Sequence, residues 1–316
     1  TWARIIALEL EKKLGERIIV VNFPGRNDIA GFNKFHNQFR FDDKTIMVSH
    51  GGNAETYLLE PVKYNYNDYN LIALSNLTVI VGKRNDQNVE EKVKFAAGSG
   101  QNPDSMAITM LVCGPQDEDT MEAYEQCFRD RIIYVPGMGG GFRRKAYLGG
   151  ELNVTRESPA RYKKIKSDAN ETWFTHGVLD LASGEIVDDR NNLGLLFTDV
   201  YEQRWGEKPS GTFYEAYVLL KNYRDVLQKA LWVNKGNPNQ AKLEQAVRDM
   251  IADPESSKAL IALAGDYEWI IGEANGVKVL DFLQSQTTEK NLRNLVWWNS
   301  TLYGQKPVFK SELLAN

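Results

Sequence analysis

The chain has 316 residues, which is more than one average domain needs, so two lobes are expected. Hydrophobic residues make up 42% and charged residues 25%, an ordinary globular balance, and the net charge of −4 excludes broad nucleic-acid affinity, which needs a basic face. No apolar run approaches the roughly 20 residues that a membrane span requires. The opening "TWARIIALELEKKLG" places Ile5, Leu8 and Leu10 on a helix that ends at Gly15. An α/β chain that starts inside a helix is expected to lack its beginning, so a signal peptide is not in this chain and export is not decided here. "RIIVV" reads as a strand leading into "NFPGRNDIAG", and "KTIMVS" as the next strand, ending in "HGGNAETYLLE". "NLIALS" and "LTVIVG" read as neighbours in one sheet, and "VKFAAG" runs into a glycine-containing loop.

"RIIYVP", "GMGGGFRRKAYLGG" and "ELNVTRESPARYKKI" follow, then the strand candidate "TWFTHGVLDLA" and a polar, loop-like stretch over 183–196. "FTDVYEQRWG" predicts a short helix with Thr198 as its cap. Apolar residues at 217, 220, 227 and 231 predict one long helix over 213–233, and the chain then gives two helices split at Asp253-Pro254. Apolar runs alternating with helices predict βα units and mainly parallel sheets.

Several strands end in polar, glycine-containing loops, where open α/β sheets hold their ligands. In "FAAGSGQNPDSM" the loop Gly98, Ser99, Gly100, Gln101 and Asn102 opens a helix whose first N–H groups lack internal partners, a setting for an anion or carbonyl oxygen. Ser105 adds a hydroxyl in the first turn, whereas Asp104 competes for the same N–H groups and reads as a cap. A plain tight turn with Pro103 at the first helical position is the competing reading. His50, Gly51, Gly52 and Asn53 form a second such loop, in which His50 either donates to a carboxylate or is simply solvated. Cys113 and Cys127 fit a disulfide or two free thiols equally well. The histidines His36, His50 and His176 show no ligand spacing, and no metal or cofactor is expected.

In order along the chain, these segments resemble the extracytoplasmic solute receptors of the tripartite tricarboxylate transporter group, the Bug family. The carrying residues are "KKLGERIIVVNFPG" with Asn22, Pro24 and Gly25, then "TIMVSHGGN", "FAAGSGQNPDSM", "YVPGMGGGFRRKAYLGGELN" and "FTDVYEQRWG" with Thr198 and Glu202. The chain departs from that pattern at Gly137, where tyrosine is usual, and at Asn153, where aspartate is common. The resemblance implies an α/β type II periplasmic-binding-protein fold, with two lobes and a ligand cleft between them. Lobe one would hold 1–100 plus 214–316 and lobe two 101–213, with crossings at "VKFAAG" and near Phe213.

By the same resemblance Arg156 contacts the ligand, since a guanidinium can grip a carboxylate through two parallel hydrogen bonds. Its competing partner is Glu157 or Glu151. Thr155 and Ser158 would add hydroxyls, Gly139 would let a helix start point at the guest, and Tyr214 would line the cleft or pack in the core. The implied function is capture of a small organic carboxylate in the periplasm by a monomeric receptor that delivers it to the membrane permease of a secondary transporter. It has no catalytic residues, no cofactor and no nucleic-acid partner. The alternatives are a nucleotide- or phosphate-binding α/β enzyme at "GMGGGF" and a ligand-sensing partner protein. The enzyme lacks support, because Phe142 replaces the third glycine of a dinucleotide fingerprint and "GFRRK" lacks the end of a P-loop.

Overall fold

The computed structural model describes residues 2–23, 25, 29–98, 102–189 and 193–314. Helix α1 (Trp2–Leu14) turns Ile6 and Leu10 inward and stops at Gly15, whose φ of +68° suits a residue without a side chain. In chain order there follow α2 (Ile29–Lys34), β1 (Met47–His50), α3 (Gly51–Leu59), β2 (Tyr69–Asn76), β3 (Ile80–Arg84), β4 (Val93–Ala96) and α4 (Pro103–Cys113). Then come α5 (Glu125–Arg131), β5 (Ile132–Val135), α6 (Gly140–Leu148), β6 (Val154–Glu157), α7 (Pro159–Ile165), β7 (Asn170–Thr175), β8 (Val178–Asp180) and β9 (Glu185–Val187). The last third holds α8 (Phe197–Trp205), α9 (Gly211–Val226), β10 (Lys229–Asn234), α10 (Gln240–Ala252), α11 (Pro254–Ala264), β11 (Glu268–Ile271), α12 (Glu273–Ser285) and α13 (Glu289–Tyr303).

The architecture is α/β with two lobes. One lobe is built on a four-stranded sheet of order β1-β10-β2-β11, and the other on a three-stranded sheet of order β6-β3-β7 joined by the pair β4-β5. Asn153 stitches that pair to the three-stranded sheet. Its side chain accepts the Lys94 N–H at 2.7 Å and donates to the Lys92 carbonyl at 2.7 Å. An aspartate could not make the second bond, which accounts for the amide at this position. A large core cluster fills the space between the sheets through α3, α4, α9 and α13, while α1, α10 and α11 cover the far face of the first sheet. Tyr147 and Tyr162 of α6 and α7 pack the far face of the second.

Several expectations are corrected. Among the described strands only β4 and β5 pair in parallel; β10 lies antiparallel between β1 and β2. "NLIALS" and "LTVIVG" are not neighbours, because β2 belongs to the first sheet and β3 to the second. Leu77-Thr78-Val79 offers no hairpin turn residues, and the chain passes buried from one sheet to the other instead. "RIIVV" belongs to no strand among the described residues, and Ile19 and Val21 are exposed. The helix from Gly211 stops at Val226 and "KALWVN" becomes β10, since a strand covered on both faces carries the same apolar run as a buried helix. Leu196, not Thr198, occupies the cap position of α8. The polar stretch 183–196 contains the short strand β9.

Cys113, at the end of α4, is bonded to Cys127 in α5, with Cα atoms 6.0 Å apart. The bridge closes a short loop and fits an oxidising compartment. Replacing both cysteines with serine is expected to cost about 3 kcal/mol, read as a lower denaturation midpoint in urea. An unchanged midpoint would show that the bridge does not constrain the unfolded chain.

Candidate ligand-binding site

The centre of the molecule is organised by the start of α4. Asn102 caps this helix: its side-chain oxygen accepts the Asp104 N–H at 2.8 Å, and its carbonyl accepts the Ser105 hydroxyl at 2.8 Å. The cap expected of Asp104 therefore falls to Asn102, and the Asp104 side chain turns inward, fully buried. Its Oδ2 lies 2.6 Å from Nε of Arg156 and 3.4 Å from Nη1 of Arg224, and its Oδ1 lies 2.8 Å from Nε2 of His176. Arg156 pairs with this carboxylate and not with Glu157 or Glu151.

Helix α9 supplies the other side. Arg224 Nε pairs with Glu55 of α3, and Asp225 lies 3.7 Å from Arg224 Nη1 and 3.8 Å from His176 Nδ1. The Tyr217 hydroxyl is 2.9 Å from His176 Nδ1. An ionised Asp104 only accepts hydrogen bonds, so His176 donates to it from Nε2 and, when neutral, accepts the Tyr217 hydroxyl at Nδ1. Burial opposes ionisation of Asp104, but the guanidinium groups of Arg156 and Arg224, with the His176 hydrogen bond, hold its carboxyl well below the usual carboxylate range. Residues from α3, α4, β6, the turn after β7 and α9 thus meet in one buried charge network at the lobe junction.

The loop expected at 50–53 is instead the last residue of β1 and the first turn of α3, and this turn touches the network. His50 caps α3 by accepting the Gly52 N–H at Nδ1 (2.9 Å), and the Asn53 side chain accepts the His50 N–H at 2.9 Å. Gly51 packs against the backbone of Arg224, where an added Cβ would sit 2.4 Å from the carbonyl oxygen. Gly51→Ala is therefore expected to cost about 1–3 kcal/mol by forcing α3 away from α9. An unaltered chemical-denaturation curve would mean that the two helices part freely.

Asn102 and Ser105 lie beside Asp104, and the Ser105 hydroxyl bonds that of Tyr303 at the end of α13. Thr155 is buried on the opposite face of β6 from Arg156, because successive strand residues alternate. Glu157, which shares its face, pairs with Arg144 of α6 at 2.8 Å. Gly139 and Ser158 occupy the cap positions of α6 and α7, without side-chain caps. Tyr214 is half-buried on α9, its ring centroid 5.9 Å from that of Tyr217. Gly98 leaves open space where a Cβ would be. Ser99, Gly100 and Gln101 lie outside the described residues.

This arrangement of lobes and loops has counterparts among solved structures. A TctC solute-binding protein from Polaromonas is 18% identical, with 93% of this chain and 92% of that chain covered and a TM-score of 0.54. Rpa4515 of R. palustris, solved with adipate, is 11% identical over 93% of this chain and 91% of its own, with a TM-score of 0.61. MatC from Rhodopseudomonas palustris, solved with bound malate, is 14% identical over 93% of both chains, with a TM-score of 0.56. The chain has the solute-binding-protein fold. No protein-family model matches the sequence, and no curated protein matches it.

Within this solute-binding fold the charge network rests on residues that sequence reasoning missed, namely Glu55, His176, Tyr217, Arg224 and Asp225. The available signal was the run Lys221-Asn222-Tyr223-Arg224-Asp225 inside an otherwise apolar helix. A helix buried on most sides must pair such charges internally. Among the described residues no group of His, Cys, Asp and Glu is placed to hold a metal, and no helix is long and apolar enough to cross a membrane.

Proposed function

We propose that the chain is an extracytoplasmic receptor that captures a small organic carboxylate between its lobes and hands it to a membrane permease, binding without turnover. The observation that carries this reading is convergence. The start of α3, the start of α4 and Arg156 of β6 reach one junction through the chain of contacts Gly51–Arg224–Asp104–Arg156. Adipate in Rpa4515 and malate in MatC are acids of the size such a junction would serve. In this reading lobe one comprises residues up to 76 and from 229 onward, and lobe two comprises 80–210, with α9 between them. A first boundary earlier than residue 100 is supported by the pairing of β3 with β6 and β7 and of β4 with β5.

The junction is packed by its own side chains, so a guest enters as the lobes part and is held as they close. The receptor acts as a monomer in the periplasm. Thermal unfolding against a panel of aliphatic, aromatic and polycarboxylic acids tests this. At least one class is expected to raise the melting temperature in proportion to its concentration. A flat response across the whole panel would overturn the reading.

A further inference from the structure

The guanidinium of Arg156 is already engaged by Asp104 at 2.6 Å, so the acid group of a guest needs another cation. One lies beside the Arg156 backbone. Arg143 of α6 is only 7% exposed, and its Nη2 donates to the Arg156 carbonyl at 2.8 Å. The carboxylate that faces it among the described residues is Glu157, whose Oε1 stays 3.9 Å from Nη2 while Oε2 lies 2.8 Å from Arg144. A separation of 3.9 Å is too long for a hydrogen bond. The buried Nε of Arg143 has no hydrogen-bond partner among the described residues, and such a donor is costly to bury. Burial, then the neighbouring Arg156, lower the Arg143 pKa to about 10, with Glu157 opposing, so the group stays charged at neutral pH.

The same guanidinium lies against the start of α6. Its Nη2 is 3.7 Å from where a Cβ on Gly140 would stand. The first backbone bond of this helix runs from the Arg143 N–H to the Gly139 carbonyl at 3.0 Å, and no side chain caps it. The N–H groups of Gly140, Gly141 and Phe142 therefore have no partner within the helix and carry partial positive charge. The setting is the carboxyl end of the parallel pair β4-β5, the place where open α/β sheets hold their guests. Beyond that end the Ala97 N–H donates to the Val135 carbonyl at 3.2 Å and the Met138 N–H to the Ala97 carbonyl at 3.1 Å, which keeps the two exits side by side. Gly98 on one exit and Gly139 and Gly141 on the other face open space, with nothing within 4 Å of where a Cβ would stand.

We infer that the open start of α6 and Arg143 form the seat of the ligand's carboxylate, whose oxygens take the free N–H groups of Gly140, Gly141 and Phe142 with the Arg143 guanidinium behind them. This rests on the carboxylate-receptor reading above and names the residues that hold the acid group. Helix N–H groups and a guanidinium both donate strongly to an anionic oxygen, and neither can accept from one, so the seat selects an oxyanion over a neutral guest. Arg156 is then a positioning residue: its carbonyl holds Arg143 at the helix start while its own side chain is tied to Asp104.

Proton–nitrogen NMR spectra of the full chain, titrated at pH 7 with malate, adipate, phenylacetate, citrate and, separately, inorganic phosphate, test the inference. Any acid that binds is expected to move the backbone N–H signals of Gly140, Gly141 and Phe142 and the Nε–H signal of Arg143 to saturation. Arg143→Gln is expected to weaken that acid about tenfold or more. Gly140→Pro removes one free N–H at the first helical position, where proline is accepted, and is expected to weaken it about threefold. An acid that binds and moves signals elsewhere while these stay in place overturns the inference, whether or not either variant folds, and leaves the carboxylate-receptor reading standing. A response to phosphate alone, or to none of the five, overturns both.

Discussion

Replacing Asp104 with alanine is expected to destabilise the protein by about 3–5 kcal/mol at neutral pH, the cost of leaving buried charges without a partner. Arg156 and Arg224 lose the carboxylate they share, and His176 loses the acceptor for its Nε2 proton. The pH dependence separates this cause from a simple packing loss. The folded-state pKa of Asp104 lies below its ordinary value: burial works against ionisation, but Arg156, Arg224 and His176 overcome it. A depressed carboxyl pKa gives stability that is full above the unfolded-chain value, near 4, and is lost as pH falls below it. Denaturant melts between pH 7 and pH 3 should therefore be steeply pH-dependent for the unaltered chain at the acid end and flatter there for Asp104→Ala. Parallel curves for the two proteins would mean that another carboxylate carries the acid sensitivity.

The outline of the fold was legible because strands that end in glycine-containing polar loops leave a strong local mark. "VSHGGN", "AAGSGQN" and "NVTRESP" each gave a strand end followed by a helix. Arg156 was legible as a cation meant for a carboxylate, although the carboxylate it holds is the protein's own Asp104. Sheet membership was not legible. Whether β2 and β3 share a sheet depends on what lies across from each, and neither apolar run records its neighbour. Strand β10 was lost for a related reason. Between β1 and β2 both its faces are covered, so Ala230, Leu231, Trp232 and Val233 have no polar alternation to distinguish them from helix. His176 sits alone in "TWFTHGV", and its partners Asp104, Tyr217 and Asp225 all come from helices at least 41 residues away. Such a cluster is written in tertiary contacts, whereas periodicity records only which face of an element is apolar.

Arg224 should be the costliest side chain to remove, because three carboxylates depend on it. Its Nε pairs with Glu55, and its Nη1 lies near both Asp104 and Asp225, all of them buried. Arg224→Met keeps most of the volume and deletes the charge, and is expected to lower stability by about 3–5 kcal/mol at pH 7. Arg224 is, after Arg156, the second cation that lowers the Asp104 pKa, so without it that folded-state pKa is depressed less. The stability Arg224 lends through Asp104 is full above the unfolded-chain value, near 4, and is lost as pH falls below it. The stability gap between the variant and the unaltered protein should therefore narrow from pH 7 to pH 3, measured by chemical denaturation at both. A gap of constant size would assign the loss to packing and show that Arg224 does not hold Asp104 in its ionised form.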